Sequence, residues 1–229
     1  MAADELYLAS VVSAALTNLN TEKSTALELQ NKIKGGLGSF KISTAAAEKN
    51  GRVIPYVRDT TSALRSKADT LIELLSEVLL KSDFNNDKEI ENILLQAKAA
   101  YEHDVLASGH RLSLERTEAY TSAKGAVAEH LSGYEAYVKI KEIATDKSLI
   151  PEFKNKLDKY YKKIFTKQRL TLSFAGDPDE VLAKNIISVF PGGNSAESVK
   201  YAPLGIRREF FLVPSKVGYA GLGCVNNLD

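Results

Sequence analysis

The chain has 229 residues, of which 44% are hydrophobic and 26% are charged, and its formal net charge is +1. This composition is typical of a globular protein. It excludes a disulfide-rich scaffold and a protein whose overall charge attracts it to nucleic acid or to an anionic membrane. The single cysteine, Cys224, cannot form an internal disulfide, so we expect a reducing compartment, either the cytoplasm or an organelle matrix.

The N-terminal segment contains a nearly continuous apolar run over residues 6–19. Asp4 and Glu5 stand where a signal peptide carries basic residues, and the run is too short to span a bilayer. We therefore expect no export signal and no membrane anchor. The run predicts a helix that is buried on most sides, followed by a second helix that ends at Gly35-Gly36.

Two β-prone segments, residues 39–43 and 52–58, flank the turn signal Asn50-Gly51 and predict an antiparallel hairpin. Pro55 favours an edge position or a bulge in its strand. Helical periodicity then predicts helices over residues 62–80, from 87 past 105 with a break near Gly109, over 121–143, and from Pro151 onward.

The last third of the chain mixes strand and loop signals. Residues 169–175 alternate and predict a strand, and residues 177–180 predict the start of a short helix that reaches about Val189. Residues 209–213 and 217–225 are strand-like without an evident partner, which suggests that they open a further domain.

This order of elements predicts an α+β fold in which long helices pack on one face of an antiparallel sheet, because the strands are too few for a doubly wound sheet. We expect three segments: an α+β domain over residues 1–190, a linker over 191–207, and the first strands of a following, truncated domain over 208–229.

The three histidines, His103, His110 and His130, do not form a known metal-binding motif. Neither H-x-x-E-H nor H-E-x-x-H occurs in the chain. His103 and His110 are seven residues apart, too far to bind one ion unless the helix breaks between them, as Gly109 would allow. We favour structural roles for all three.

Three other features have both a functional and a structural interpretation. The Gly35–Gly38 run resembles a phosphate loop, but it follows a helix and lacks the Lys-Ser/Thr pair, which favours a helix end. Glu152 and Asp158 interrupt the lysines of residues 154–167, which favours a solvated face over a nucleic-acid surface. Cys224 has no neighbouring base in the sequence. We assign no catalytic, cofactor-binding or metal-binding residue.

One stretch holds unusual residues at spacings that helix formation does not require: Ser108, Gly109, His110 and Arg111, then Arg116, Tyr120, Ser122, Glu129, Gly133 and Tyr134. Together with Asn20-Thr21 and Ser24, this stretch resembles the insulinase-type zinc metallopeptidases, in the branch of presequence protease and falcilysin. Such enzymes consist of two related halves, each of two α+β domains, which close on a peptide.

The resemblance implies which half this chain corresponds to. In the family only the N-terminal half carries the H-x-x-E-H motif, whose glutamate activates a zinc-bound water. If Thr21 is aligned with the threonine that follows that motif, the ligand positions fall on Val11, Ala14 and Ala15, which cannot bind zinc. The chain therefore resembles the first domain of the non-catalytic C-terminal half, and zinc is expected only in the catalytic half of the full-length protein.

From this resemblance we expect a non-catalytic domain of an intracellular zinc metalloendopeptidase that degrades peptides. It would form part of a closed substrate chamber and be inactive alone. The expected partners are the catalytic N-terminal half of the same polypeptide and peptide substrates, with no nucleic acid and no membrane. Two alternatives remain: a structural or assembly subunit of the same fold, and a helical adaptor, which would expose an apolar stripe on its helices over residues 87–143.

Overall fold

The structure, a computed structural model, describes residues 1–176, 179–214 and 216–225. Over these residues it contains nine α-helices and one two-stranded antiparallel sheet. In chain order the elements are α1 Tyr7–Ala15, α2 Ala26–Gly36, β1 Ser39–Lys49, β2 Arg52–Ser62, α3 Ala68–Lys81, α4 Asp87–Ala107, α5 Gly109–Thr121, α6 Ala123–Ser132, α7 Tyr134–Thr145, α8 Ile150–Ile164 and α9 Glu180–Val189.

The hairpin forms where the sequence predicted it, with longer strands. Asn50 and Gly51 both have positive φ, +53° and +68°, as the tight turn between two strands requires. Pairing runs without a bulge from Lys49 opposite Arg52 to Ser39 opposite Ser62. Pro55 is tolerated because each strand of a two-stranded sheet has a free edge that does not need its missing N–H.

Helices pack on one face of this hairpin, so the predicted α+β class is confirmed. Both α1 and α6 contact β1 and β2. The first helix lies at the centre of the domain, where Val12, Leu16 and Leu19 are fully buried. Its nearly continuous apolar sequence is explained by this position, because other elements cover it on most sides.

The long predicted helices are divided at two junctions. The break expected near Gly109 is confirmed, since α4 ends at Ala107 and α5 begins at Gly109. The single helix predicted over residues 121–143 is wrong, because Gly133 separates α6 from α7. The helix predicted over 62–80 begins only at Ala68, because β2 continues to Ser62.

Three predicted strands are absent from the described residues. Residues 170–174 are irregular after a short 3₁₀ turn at Lys167–Arg169, and residues 209–213 and 217–225 also lack strand structure. Their side-chain pattern suits a strand, but a strand needs a hydrogen-bonded neighbour and the described chain provides none. The helix predicted up to about Val189 is confirmed as α9, although Asp177 and Pro178, which were expected to open it, lie outside the described residues.

Residues 191–207 lack regular structure but follow the surface of the domain. The hydroxyl of Tyr201 donates to the backbone carbonyl of Met1 over 3.2 Å, and the Leu204 N–H donates to the carbonyl of Ala119 over 2.9 Å. None of the helices in the part of the chain that the structure describes is long and apolar enough to cross a membrane.

Candidate functional site: the Arg116 cluster and the C-terminal segment

The unusual stretch of the sequence is brought together by the two helix junctions. Arg116 and Tyr120 lie one turn apart on α5, Glu129 lies on α6, and Tyr134 and Glu135 form the first turn of α7. The chain returns to this place much later, through residues 204–225, which we call the C-terminal segment. We call the five side chains, together with Glu209 of that segment, the Arg116 cluster.

Arg116 is the centre of the cluster, and its side chain is only 7% exposed. One terminal nitrogen, Nη1, donates to Glu129 over 3.0 Å and to Glu135 over 2.8 Å. Nε and Nη2 donate to the two carboxylate oxygens of Glu209 over 2.9 and 3.1 Å. This paired geometry matches the planar fork of a guanidinium, which a lysine cannot reproduce.

Glu129 also holds the junction between α6 and α7. Its Oε2 accepts hydrogen bonds from the backbone N–H of Tyr134 and of Glu135, over 2.9 and 3.4 Å. The carboxylate thereby caps α7, whose N-cap residue Gly133 has no side chain to do so. A Cβ at position 133 would lie 2.7 Å from Cδ of Glu129, so this close approach requires glycine.

The charges of the cluster depend on one another. Burial raises the pKa of Glu129, although Arg116 opposes the shift. The hydrogen bonds from Arg116 lower the pKa of Glu209, which is less buried. Burial disfavours the charge of Arg116, but its bonds to Glu209 and Glu135 and the charge of Glu129 outweigh burial and raise its pKa. The guanidinium therefore stays charged.

Aromatic rings surround the guanidinium on its remaining sides. Its central carbon lies 5.3 Å from the ring centroids of Tyr120 and of Tyr134, and 6.0 Å from that of Phe211. Phe211 in turn packs edge-on against Tyr134 with centroids 4.7 Å apart. These cation–π and aromatic contacts add apolar burial to the ion pairs that hold the C-terminal segment.

The C-terminal segment makes a second set of contacts along α5. The ring of Tyr219 lies 5.8 Å from that of His110 and covers Gly109, where an added Cβ would come within 2.7 Å of the tyrosine ring. Further along, Gly221 and Gly223 approach Thr117 so closely that neither could carry a side chain without movement. The stretch beginning at Ser108 is therefore a docking surface for the C-terminal segment.

The geometry contains no arrangement for catalysis or metal binding in the described residues. Three His, Cys, Asp or Glu side chains do not come together anywhere in residues 1–176, 179–214 and 216–225 in a way that would hold a metal. His103 and His110 are exposed, while burial lowers the pKa of the half-buried His130. Cys224 is exposed.

The positions that the resemblance aligns with zinc ligands do not fit the metal. Val11 and Ala15 are buried in the hydrophobic core, and Ala14 lies on the exposed side of α1. None of the three side chains has a donor atom for a metal or a group that exchanges a proton. The helix at this place is a packing element.

The other features with two interpretations are structural as well. The run Gly35-Gly36 forms the last turn of α2. On α8, Lys156 pairs with Glu152 over 2.9 Å and Lys162 with Asp158 over 2.7 Å, as expected of a solvated face.

Sequence reasoning missed two buried or half-buried acids. Glu209 reaches Arg116 across 93 positions of the chain, and no local pattern marks such a pair. Glu77, on the inner face of α3, is 3% exposed and accepts hydrogen bonds from Thr21 and Ser24 over 2.7 and 2.6 Å. A charged residue inside an apolar helical stripe was the available signal for Glu77.

A buried ion cluster that anchors a distant segment, with no reactive group beside it, defines a structural domain rather than an active site. Residues 1–143 match the family described as "Peptidase M-16C associated". The chain belongs to this family.

Individual relatives agree with the family. The chain is similar to "Protein HypA" of Clostridium perfringens, with 29% identity over 91% of this chain and 22% of that protein. It is also similar to the mitochondrial presequence protease of Saccharomyces cerevisiae, with 26% identity over 76% of this chain and 18% of the enzyme. The chain thus spans about a fifth of the length of the curated relatives it matches.

Among solved structures, the chain is similar to a conserved protein from Enterococcus faecalis V583. The two share 14% identity, the match covers 67% of this chain and 43% of the other, and the TM-score is 0.42. That value is too low to establish a shared fold.

Proposed function

We propose that this chain is a non-catalytic domain of a zinc endopeptidase that degrades unstructured peptides. Its role is to form one wall of a closed substrate chamber, and its main partner is a catalytic half in the same longer polypeptide. The observation that carries the proposal is the combination of two facts: the chain belongs to a peptidase-associated family, and Val11, Ala14 and Ala15 stand where the resemblance aligns zinc ligands.

The domain division predicted from the sequence is part of this proposal. Residues 1–190 form the domain, 191–207 the linker, and 208–229 the first strands of the next domain. The exposure of alternate side chains supports it: Phe210 and Leu212 are 94% and 100% exposed, while Glu209 and Phe211 between them contact the Arg116 cluster. An extended segment with one anchored and one exposed apolar face is suited to join a further sheet.

The helical adaptor is less well supported than the peptidase domain. An adaptor would present an apolar stripe on the helices between residues 87 and 143. Instead, the stripe predicted on α4 faces inward, with Ile90 and Leu94 fully buried and Ala97 and Tyr101 half-buried. For location we propose the cytoplasm or an organelle matrix, a choice supported by the mitochondrial name of the yeast relative.

The proposal is tested by comparing the 229-residue chain with the full product of its reading frame. The full product should contain H-x-x-E-H upstream of this chain and should cleave an unstructured peptide in a zinc-dependent manner. The isolated chain should retain less than about 0.1 equivalent of zinc and cleave nothing, because its α1 helix has no ligands. One equivalent of zinc together with peptidase activity in the isolated chain would contradict the proposal.

A further inference from the structure

The outer face of the hairpin carries a set of side chains that the Arg116 cluster does not use. Successive side chains of a strand point to opposite faces, so the pairing register defines this face. Val53 and Val57 point inward to the helices, while Ile54 and Tyr56 point outward. The outward row holds Lys41, Ser43, Ala45, Ala47 and Lys49 on β1, and Arg52, Ile54, Tyr56, Arg58 and Thr60 on β2.

The outer face has four cations and no acid. All four, Lys41, Lys49, Arg52 and Arg58, are exposed, and none makes an ion pair with a carboxylate in the described ranges of the chain. Arg52 donates a hydrogen bond to the uncharged hydroxyl of Ser198 over 3.3 Å. Lys49 and Arg52 stand directly opposite each other next to the turn. Like charges in this position destabilise a hairpin, so a bound anion would relieve a repulsion that the protein itself leaves uncompensated.

An apolar centre lies between two groups of cations. Ile54 and Tyr56 are 48% and 37% exposed, and the residues opposite them are Ala47 and Ala45. Tall side chains on β2 therefore stand beside short ones on β1, and a trough runs along the shorter strand. A shallow depression near the turn, lined by residues 49, 50, 52 and 54, lies at one end of this face.

We propose that this trough binds an extended, acidic polypeptide segment. Arg52 and Arg58 are six positions apart, about 20 Å along a strand. The complementary ligand has carboxylates at both ends of an apolar stretch of about four residues. Such a segment matches the charge of each end and covers Ile54 and Tyr56, whereas a nucleic-acid backbone would place phosphates over the apolar centre.

This inference rests on the proposed function only for the origin of the ligand. If the domain lines a peptide chamber, the trough selects substrates with acidic groups around an apolar centre. The binding itself is a property of the 229-residue chain and is measurable without any catalytic half. Loss of this inference would leave the zinc and cleavage comparison of the full product untouched.

The test uses a fluorescein-labelled peptide with two glutamates at each end and four alternating valine and leucine residues between them. Fluorescence anisotropy measures its affinity for the wild-type chain and for two charge-reversal variants. Arg52→Glu/Arg58→Glu changes the trough. Lys159→Glu/Lys163→Glu makes the same change in net charge on exposed positions of α8 and is the matched control. Circular dichroism verifies that each variant is folded.

We expect the hairpin variant to bind the peptide at least about tenfold more weakly and the α8 variant to change affinity less than about twofold. Ile54→Ser/Tyr56→Ser should also weaken binding while leaving the charge intact. Equal weakening by both charge reversals, no binding by the wild-type chain, or tighter binding of oligothymidylate or phosphatidylserine vesicles would each overturn the proposal.

Discussion

Arg116 and Glu209 are 93 residues apart in the chain and are joined by two parallel hydrogen bonds of 2.9 and 3.1 Å. The same guanidinium also binds Glu129 and Glu135. One side chain thus connects three helices to the C-terminal segment. The stability of the helix junction and the position of that segment should therefore be separable by mutation.

Replacing Arg116 should strongly destabilise the domain. Arg116→Leu leaves the buried carboxylate of Glu129 without its cation, which costs about 3 kcal/mol in the free energy of unfolding. Urea denaturation followed by circular dichroism measures the change. Arg111→Leu on the same helix is the control, because Arg111 pairs with Asp104 and Glu115 at the surface and its loss should cost less than about 1 kcal/mol. Similar losses from both variants would contradict the central role of Arg116.

Replacing Glu209 should release the C-terminal segment without unfolding the helices. Cys224 is the single cysteine and is exposed, so a nitroxide attached to it reports the motion of this segment. Glu209→Gln should narrow the electron paramagnetic resonance lines of the label, because the charged bonds to Arg116 are lost. Arg208→Gln, at the exposed neighbouring position, should leave the spectrum unchanged. A spectrum of Glu209→Gln identical to wild type would show that the aromatic contacts alone hold the segment.

Acid should release the same segment. The pKa of Glu209 is lowered by Arg116, so its bonds contribute fully above the ordinary glutamate pKa of about 4.3 and are lost as the pH falls through the lowered value. Glu129 has the opposite sign, since its raised pKa favours the folded state in acid. Label mobility at Cys224 should therefore increase below about pH 4 in wild type and be independent of this transition in Glu209→Gln.

Asp59 should weaken the hairpin at neutral pH. It lies on the inner face of β2 opposite Ile42, and burial raises its pKa to about 6 although the Thr61 hydroxyl donates to it. Ionisation in the folded state is disfavoured, so the stability present below about pH 4 is lost as the pH rises through about 6. After allowance for partial exposure, Asp59→Asn should be more stable than wild type by about 1–2 kcal/mol at about pH 8 and equal to it at about pH 4. The exposed Glu197→Gln should show no such difference, and a pH-independent effect of Asp59→Asn would refute the assignment.

Two glycine substitutions should change stability in opposite directions. Gly133→Ala places a methyl group against Glu129 and should cost about 1–3 kcal/mol, because the carboxylate must leave the start of α7. Gly35→Ala meets no atom within 4 Å inside the last turn of α2 and should stabilise by about 0.5–1 kcal/mol. Thermal unfolding of both variants against wild type decides the matter, and a neutral Gly133→Ala would remove the packing argument for glycine at the junction.

Local signals in the sequence predicted the elements that depend on local physics. The hairpin follows from the turn at Asn50-Gly51, and the break between α4 and α5 follows from Gly109. The break at Gly133 was missed because the apolar periodicity continues across it. The strand predicted over residues 169–175 failed because pairing depends on a partner that no local pattern supplies.

The same distinction applies to the candidate site. The residues from Ser108 to Tyr134 identified the family, but their common purpose depends on Glu209 and Phe211, far along the chain. A single sequence does not reveal which acid meets a given arginine. The stretch that first suggested an active site is the seat of a long-range anchor.

The chamber-wall role is tested most directly by crosslinking in the full product of the reading frame. The catalytic glutamate of its H-x-x-E-H motif is first replaced by glutamine, so that a bound peptide is held without being cleaved. A peptide carrying a photoreactive benzoylphenylalanine is then irradiated in the closed enzyme, and the crosslinked sites are mapped by mass spectrometry. We predict crosslinks within residues 1–190 of this chain. Efficient crosslinking to the rest of the enzyme, with none in these residues, would contradict the account.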